Sequence, residues 1–378
     1  MRSKLIDVCS NFGINDDCID CKAISNGLIN DSFWMKFRNN IADREYMLQR
    51  INSNVFKSPE NVMENIIRVT EYIKKAYEAY GDKDYRSSLV FFQTNEGKYY
   101  YVDESGGYWR LSRYIRNSIV VNNTDDLDII REIGYAFGNF QNSLDGFPVG
   151  FLHETIVDFH NTKKRYVALK NAINNARISR LNEATESISY LLSVEDEACK
   201  LTELADNGIL PYRVTHNDTK CNNVLLDEDT RKALCVIDLD TVMPGLIMHD
   251  FGDAARYICN TTAEDSKLLN RVSIDMDKFT ALSQGFLSPI KDTLTKEEAD
   301  NMANGVFVMA TELAVRFLTD YLEGDRYFKI NYSEHNLIRT KCQIALSKRI
   351  AENLQEMNKI VNDIIHTEKI EKKASCLA

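Results

Sequence analysis

One stretch of the chain, Thr215–Asp238, carries polar residues whose types and spacing suit phosphoryl transfer. Asp218 is the candidate catalytic base, because its carboxylate could orient an attacking hydroxyl and take its proton late in the reaction. Asn223 follows five residues later, and Asp238 follows the apolar run 233–237. An amide oxygen and a carboxylate in these places suit Mg²⁺, which takes oxygen ligands and keeps several waters. The stretch therefore predicts an enzyme that transfers a phosphoryl group.

Two charged residues next to these extend the candidate site. Lys220, two residues after Asp218, is expected to offset the charge of the transferred phosphate, although an exposed lysine is the simpler alternative. Asp240, two residues after Asp238, is a candidate second metal ligand or a residue that supports the first. The spacing of Asp218 and Asn223 also matches the HRDxxxxN loop of kinases, so the whole pattern predicts a kinase.

A literal DFG tripeptide, the metal-binding motif of protein kinases, occurs at residues 250–252. It begins 32 residues after Asp218, whereas Asp238 comes 20 residues after it and directly follows the hairpin expected there. We therefore assign the metal to Asp238. Asp250 is expected to cap a helix that begins near the glycine of the tripeptide, and Asp253 to brace the catalytic loop.

The nucleotide side of the site is less explicit in the sequence. The turn Ser25–Phe33 holds one glycine, Gly27, where a GxGxxG loop holds three, and a plain hairpin is nearly as good an interpretation. Gly27 and Asn30 are its candidate nucleotide contacts, because backbone amides there could cradle phosphates. Arg50 is the basic residue best placed to act as the strand lysine of kinases, with Glu64 as its candidate ion-pair partner.

The order of predicted elements indicates an α+β protein with a small first lobe. Five short β-rich stretches are predicted in residues 1–112, at 21–24, 32–37, 45–51, 89–93 and 98–102. One helix is predicted from Pro59 to about Tyr77, because apolar residues recur there at helical spacing. We expect residues 1–112 to be a nucleotide-binding N-lobe with an antiparallel sheet. The stretch Tyr108–Arg116, which includes Tyr114, is the expected hinge that meets an adenine.

Long amphipathic helices are predicted after residue 120, at 125–144, 183–207, 275–284, 296–322 and 334–365. The interruption at 211–245 is β-rich and contains the catalytic stretch. Residues 113–378 should therefore form a larger, mainly helical C-lobe with the catalytic loop, the metal site and the substrate site. A chain of 378 residues that is 44% hydrophobic is long enough for two such lobes.

Charge and cysteine content exclude several classes of protein. The net charge of -10 argues against a nucleic-acid-binding surface, which would need a basic face. Cys18 and Cys21 form a CxxC, but no second pair or histidine cluster completes a zinc site, so reduced thiols are expected. The N-terminal residues carry charges where a signal peptide would be apolar, no run of about 18 apolar residues occurs, and Cys376 is misplaced for prenylation. We expect a cytoplasmic protein without a membrane partner.

Longer phrases of the sequence resemble one superfamily of enzymes. VTHNDTKCNNVLLD at 214–227, VIDLDTVMPG at 236–245 and DFGDAAR at 250–256 are similar to the aminoglycoside phosphotransferase-like superfamily, which shares the protein-kinase fold. Within it, the chain resembles the bacterial N-acetylhexosamine 1-kinases, which have the phrases HNDTKxNNVLxD and IDLDTVMPG. The phrases YMLQRIN, VFKSPENVMENI and DFHNT extend this similarity from about residue 24 to beyond residue 340.

The resemblance implies ATP- and Mg²⁺-dependent phosphorylation of the anomeric hydroxyl of N-acetylglucosamine or N-acetylgalactosamine. It implies that Asp218 is the catalytic base and contacts the substrate, and that Asn223 and Asp238 are the metal ligands. Arg316 would be a sugar-site arginine, and the alternative is a surface ion pair with Asp320, four residues on. His160 could line the same cleft or fix its own loop.

Two other functions remain open at this point. A relative could phosphorylate an aminoglycoside, homoserine or an amino alcohol, and a cationic acceptor would favour an acidic pocket. A nucleotide-binding pseudokinase is disfavoured, because Asp218, Asn223 and Asp238 are all present. The preference between the two sugars and the oligomeric state have no signature in the sequence.

Overall fold

The first part of the chain is an antiparallel sheet with two helices. The computed structural model describes residues 2–24, 30–79, 81–82 and 84–375, with side chains up to residue 366. The strands are β1 (Asp17–Ile24), β2 (Asp31–Arg38), β3 (Asp43–Ile51), β4 (Tyr101–Val102) and β5 (Tyr108–Arg113), in the order β1-β2-β3-β5-β4. The helices are α1 (Arg2–Ser10) and α2 (Pro59–Ala79).

The two faces of this sheet have different neighbours, because side chains alternate along each strand. Helix α1 packs against the face that carries Leu48 and Trp109. The other face carries Gln49 of β3 and Arg110 of β5, which are paired in register. Arg110 contacts Met63 of α2 on this face. The two helices therefore cover opposite faces of the sheet.

Helix α2 is the helix expected from the sequence. It begins at Pro59, whose missing N–H has no consequence in a first turn, where N–H groups lack helical partners. Val62, Ile66, Val69 and Ile73 recur every three or four residues and are buried.

The second part of the chain is mainly helical. Its helices are α3 (Leu127–Ser143), α4 (Thr162–Asn175), α5 (Ile178–Ser193), α6 (Glu195–Asp206), α7 (Ile247–Ile258), α8 (Met276–Leu287), α9 (Lys296–Glu323) and α10 (His335–Ser375). Its short strands are β6 (Ser118–Ile119), β7 (Arg213–Thr215), β8 (Val224–Asp227), β9 (Ala233–Val236) and β10 (Met243–Gly245). Strands β7 and β10 pair with each other, and β6, β8 and β9 form a three-stranded sheet. These strands frame the catalytic stretch.

Helix α9 is the central helix of this second part. It is long and apolar enough to cross a membrane by length and composition, but 78% of its most apolar window is buried among other elements. It passes close to α7, because a Cβ atom on Gly252 would lie 2.2 Å from the carbonyl oxygen of Gly305. These features describe the core helix of a globular unit.

The α+β class, with an antiparallel sheet first and helices after it, is confirmed, and some element boundaries differ. Residues 89–93 form only one isolated bridge, Phe91 to Ser112, instead of a strand. The expected hinge at 108–116 is mostly strand β5, so the predicted lobe boundary after residue 112 falls inside a strand. Cys18 and Cys21 lie on β1 as free thiols.

The helical part contains three differences. The helix predicted over 183–207 is two helices, since α5 ends before Val194 and α6 begins with the acidic turn Glu195–Glu197, which favours a new helix N-terminus. Helix α4 was not expected. Helix α7 begins at Ile247, about one turn before the glycine where a helix was predicted.

Candidate active site

Asp218 lies on the loop between β7 and β8 and contacts two of the predicted site residues. The ammonium nitrogen Nζ of Lys220 is 2.6 Å from Asp218 Oδ1. Asn223 Nδ2 donates to Asp218 Oδ2 at 3.1 Å and to the Asp218 carbonyl at 2.8 Å. The Asp218 side chain keeps 24% of its surface exposed, so a hydroxyl can reach it. The structure thus brings the candidate base, cation and amide together.

A buried network beneath this loop holds its backbone. Asp250 accepts hydrogen bonds from the N–H groups of His216 and Asn217 at 2.8 and 2.7 Å. Asn217 has a φ of 64°, in the left-handed region, where a non-glycine residue needs support from its surroundings. Asp253 accepts the N–H of Thr219 at 3.0 Å, which is the bracing contact expected for it. Two buried carboxylates of α7 therefore fix the loop that carries the base.

The helix cap predicted for Asp250 is wrong. Because α7 begins at Ile247, Asp250 lies in the first turn of the helix, and no side-chain capping bond is made at its N-terminus. Its carboxylate turns instead to the catalytic loop and to the Gln141 side chain, 2.7 Å away. Burial raises the pKa of Asp250, while His216 and the hydrogen bonds oppose that rise.

Lys220 stays charged at neutral pH. Burial alone would lower its pKa, but the nearby Asp218 and Asp253 outweigh burial and raise the pKa of Lys220 to about 12. Asp253 is also paired with Arg256, at 2.6 Å. The acidic groups next to the base are therefore matched by cations.

Asp238 is suited to hold a cation. It follows β9 with a left-handed φ of 60°, and its carboxylate accepts no hydrogen bond and forms no ion pair among the described residues. Many protein atoms surround its carboxylate, yet the residue is exposed, so a cation can reach it. Burial and the charges of Asp240 and Asp218 raise the pKa of Asp238 to about 6. A carboxylate in this position fits Mg²⁺.

Asn223 is tied to the same place. The backbone carbonyl of Asn223 accepts the N–H of Ile237, which immediately precedes Asp238, at 2.9 Å. No group of three or more His, Cys, Asp or Glu side chains arranged for a metal occurs in residues the structure describes. Magnesium here would therefore rely on one carboxylate, the Asn223 amide, water and phosphate oxygens, as is usual in nucleotide sites.

Asp240 has no free oxygen in this structure. Its Oδ1 forms an ion pair with Arg110, and its Oδ2 accepts a hydrogen bond from Asn30 Nδ2. The Asn30 side chain also accepts the N–H of Asn52 at 2.9 Å. Asn30 thus joins the first part of the chain to Asp240. Gly27, the other candidate of this turn, lies outside the described residues.

The structure does not bring Arg50 to the site. Arg50 is paired in register with Trp109, so it lies on the sheet face that α1 covers. Its guanidinium carbon is 6.0 Å from the centre of the Trp109 ring. The predicted ion pair with Glu64 is also absent, because Glu64 pairs with Arg68 and with His153, the latter at 2.7 Å. The prediction placed Arg50 on the wrong face of β3. Its neighbour along the strand, Gln49, is the residue that faces the cleft.

Tyr114 follows β5 on the cleft side. Its ring meets Trp34 of β2 edge to face, with centroids 6.4 Å apart, and its N–H donates to the Glu45 carbonyl at 3.1 Å. Glu45 also accepts the Trp34 indole N–H at 3.1 Å. An aromatic pair at the start of the connection between the two parts of the chain could stack on a nucleobase.

His160 belongs to a buried polar cluster with Glu312 of α9 and His249 of α7. Its Nδ1 is 2.8 Å from Glu312 Oε1, and Glu312 Oε2 accepts the Thr162 hydroxyl at 2.7 Å. Burial would raise the pKa of Glu312, but His160 lowers it to about 2. His160 Nε2 and both ring nitrogens of His249 are buried without a hydrogen-bond partner. Buried polar atoms in proteins are usually paired with protein groups or with ordered water.

Arg316 extends this cluster. Its guanidinium carbon lies 5.0 Å from the Phe159 ring centre and 5.6 Å from that of Phe328. The alternative ion pair with Asp320 is not formed, because Asp320 instead accepts the N–H groups of residues 326–328 and the Asn336 amide. Arg316 is therefore a cation without an ion-pair partner among the described residues.

Sequence reasoning missed four residues of this region. Arg110 and Gln49 were not identified, because the residues of β3 and β5 that face the cleft depend on which sheet face α1 covers. Helix α1 was not predicted. Glu312 lies one helical turn before Arg316, so helical spacing could have indicated it. His249 immediately precedes the DFG tripeptide, but no local signal distinguishes it from a core histidine.

Comparison with known proteins gives this geometry a family. The chain matches the model of the APH phosphotransferase enzyme family over residues 20–278. An aminoglycoside phosphotransferase from Alicyclobacillus acidocaldarius subsp. acidocaldarius DSM 446 has a TM-score of 0.62 at 12% identity, over 94% of this chain and 96% of that chain. A microcompartment-associated aminopropanol kinase has a TM-score of 0.62 at 15% identity, over 94% and 98% of the two chains.

A third solved structure is spectinomycin phosphotransferase in complex with ADP and spectinomycin, with a TM-score of 0.55 at 12% identity over 92% of this chain and 98% of that chain. At these identities the likeness establishes the fold, and the bilobal, kinase-like fold expected from the sequence is confirmed. The family model covers more than half of the sequence. The chain therefore belongs to the APH phosphotransferase enzyme family.

Proposed function

We propose that this protein uses ATP and Mg²⁺ to phosphorylate the anomeric hydroxyl of an N-acetylhexosamine, N-acetylglucosamine or N-acetylgalactosamine, giving the sugar 1-phosphate. Residues 1–112 would bind the nucleotide, and residues 113–378 would carry the catalytic loop, the metal ligands and the sugar site. A structural relative that binds ADP supports the use of an adenine nucleotide. Free cysteines and ATP use support a cytoplasmic location.

The observation that carries the acceptor class is the charge of the groups around His160, Arg316 and Asp253, of which Asp253 bonds to the catalytic loop. The carboxylates there already have partners: Asp253 pairs with Arg256, and Glu312 is hydrogen-bonded by His160 and by the Thr162 hydroxyl. Among the described residues, Arg316 forms no ion pair and contacts only aromatic rings. Hydroxyl and acetamido groups can accept hydrogen bonds from the Arg316 guanidinium, whereas a cationic amine would be repelled by it. This arrangement supports a neutral polyhydroxylated acceptor.

The catalytic loop suits the transfer itself. Asp218 Oδ2 would accept a hydrogen bond from the attacking hydroxyl and take its proton as the new oxygen–phosphorus bond forms and the bond to the leaving oxygen of ADP breaks. Lys220, an ammonium at neutral pH, would stabilise the negative charge of the transferred group. Asn223 would keep the Asp218 carboxylate turned towards the hydroxyl through its hydrogen bond.

Magnesium would be held by Asp238 and Asn223. When bound, it would neutralise charge on the phosphate oxygens of ATP. Asp238 supports this role because its carboxylate has no hydrogen-bond or ion-pair partner among the residues that the structure describes. Asp240 is proposed to support the site through its contacts with Arg110 and Asn30.

A panel of acceptors tests the proposed function. The purified protein is given ATP and Mg²⁺ with N-acetylglucosamine, N-acetylgalactosamine, an aminoglycoside, homoserine or an amino alcohol, and ADP release is measured. We expect turnover with an N-acetylhexosamine, and loss of about 10² to 10⁴ in rate for Asp218→Asn. Turnover confined to the amine acceptors would replace the proposed function with that of an amino-alcohol or aminoglycoside kinase.

A further inference from the structure

Arg110 is among the largest fully buried side chains in the described part of the chain, and it lies on the cleft face of the sheet. Only 2% of its side-chain surface is exposed. Its Nη1 forms the ion pair with Asp240, which belongs to the helical part of the chain. Its charge also lowers the pKa of Asp238, so the guanidinium lies within electrostatic reach of the candidate metal ligand. A strand of the nucleotide-side sheet thus delivers a cation to the metal site.

A continuous row of hydrogen bonds holds this guanidinium. Arg110 Nε donates to Gln49 Oε1 at 3.0 Å, and Gln49 Nε2 donates to the Ser32 hydroxyl at 3.0 Å. Asn30 reaches the second oxygen of Asp240. The row of hydrogen bonds crosses β2, β3 and β5 and ends at the carboxylate of Asp240. Such support fixes a side chain in one orientation.

Part of the guanidinium remains available. Nε and Nη1 are engaged, whereas Nη2 donates to no group among the residues that the structure describes. The strand position where kinases place their phosphate-binding lysine carries the uncharged Gln49 on the cleft face, and Arg50 lies on the opposite face. At this position of β3 the cleft face therefore has no cation, and Arg110 on the neighbouring strand supplies one.

We propose that Arg110 binds the phosphates of the nucleotide and that Asp240 orients it, so that this pair replaces the lysine–glutamate pair of kinases. The proposal rests on the use of a nucleotide in the proposed function, but not on which acceptor is phosphorylated. Arginine suits this role because it stays charged when buried, and the two N–H bonds of its Nη2 can donate to phosphate oxygens. Asp240 then acts as a positioning residue and not as a metal ligand.

A purely structural alternative makes a different prediction. If Arg110 only fastens the two parts of the chain together, its removal should weaken every nucleotide and nucleoside equally, since the whole site would loosen. If it binds phosphate, the loss should appear only for ligands that carry phosphates. The ratio of adenosine affinity to ADP affinity separates the two.

The test measures binding of ADP, ATP and adenosine to the full chain by calorimetry, with Mg²⁺ and with EDTA, without any acceptor. Arg110→Gln should weaken ATP and ADP binding about 10- to 100-fold, the effect of a charge-assisted phosphate contact, and leave adenosine within twofold. Asp240→Asn should act in the same direction but less strongly. Arg50→Gln is the matched control on the other face of the same sheet, and it should leave all three ligands unchanged.

Equal weakening of adenosine and ADP by Arg110→Gln, or no weakening, overturns the proposal, as does a selective loss of ATP and ADP binding in Arg50→Gln. If Arg110→Gln does not fold, Arg110→Lys decides the question, because it keeps the charge but not the two-point contact. A selective loss for phosphate-bearing ligands in this variant supports the proposal, and an unselective one contradicts it. Absence of hexosamine phosphorylation would refute the proposed function alone, since these measurements need no sugar.

Discussion

Replacing Asp250 with asparagine should impair the catalytic loop without removing the metal site. One carboxylate oxygen of Asp250 accepts the Asn217 N–H, and the other accepts the His216 N–H and the Gln141 amide. Asparagine offers one oxygen, so at least one of the two backbone N–H groups would face an N–H₂ group. The residue is 1% exposed, so no bulk water can replace the lost acceptor.

The expected size of the effect follows from these contacts. A hydrogen bond to a charged group contributes about 1.5–3 kcal/mol, and a buried donor left unpaired costs about 1–3 kcal/mol. Loss of one such bond in Asp250→Asn should therefore destabilise the protein by about 2–4 kcal/mol. Because Asn217 depends on this support for its left-handed φ of 64°, the neighbouring base should also shift, and we expect kcat to fall by roughly 10- to 100-fold.

Steady-state kinetics and thermal melting measure both effects, and the Mg²⁺ concentration for half-maximal activity should stay within about twofold of the wild-type value. Asp275→Asn is the matched control. Asp275 also accepts two backbone N–H groups, at the start of α8, but it contacts no residue of the catalytic loop. Both of its bonds go to one oxygen, Oδ1, which asparagine keeps, so the control should melt near the wild-type temperature and keep its kcat. A wild-type kcat in Asp250→Asn would refute the bracing role, and a collapse of Mg²⁺ dependence would show that Asp250 holds the metal.

Three further predictions concern the acceptor side and the core. Arg316→Gln should raise the acceptor KM by about tenfold with little change in the ATP KM, and steady-state kinetics with both substrates varied would show it; an unchanged acceptor KM would exclude a sugar contact. Glu312→Gln should lower the melting temperature at pH 7. Because the pKa of Glu312 is lowered from 4.5 to about 2, its stabilisation is present above pH 4.5 and is lost as the pH falls towards 2. The difference between variant and wild type should therefore shrink on acidification, and a difference constant with pH would contradict this. Gly305→Ala should destabilise by about 1–3 kcal/mol in thermal melts, because its Cβ would lie 2.1 Å from the Met248 carbonyl oxygen; wild-type melting would contradict the close helix crossing.

The local motifs could be predicted from the sequence because their partners are close along the chain. Asp218 and Asn223 lie five residues apart, and their contact needs only a short loop between two strands. Asp238 follows an apolar strand that pairs with the strand directly after Asn223. Helix α2 was predictable for the same reason, since its burial pattern is periodic.

Contacts between distant segments could not be predicted in this way. The choice between Arg50 and Arg110 depends on which sheet face meets the helical part, and adjacent residues of a strand point to opposite faces. Asp250 was assigned to a cap because its real partners lie more than 30 residues earlier, on a loop that packs over α7. Glu312 and His160 are about 150 residues apart, and only the packing of α9 brings them together.

The position of the new phosphate tests the central proposal most directly. The protein is incubated with ATP, Mg²⁺ and N-acetylglucosamine or N-acetylgalactosamine, and the product is examined by ³¹P and ¹H NMR, with the methyl glycosides as acceptors in parallel. We predict a phosphorus signal coupled to the anomeric proton of the free sugar, and no product from the methyl glycosides, whose anomeric oxygen is blocked. Phosphate on another hydroxyl, or equal phosphorylation of a methyl glycoside, would contradict the proposal.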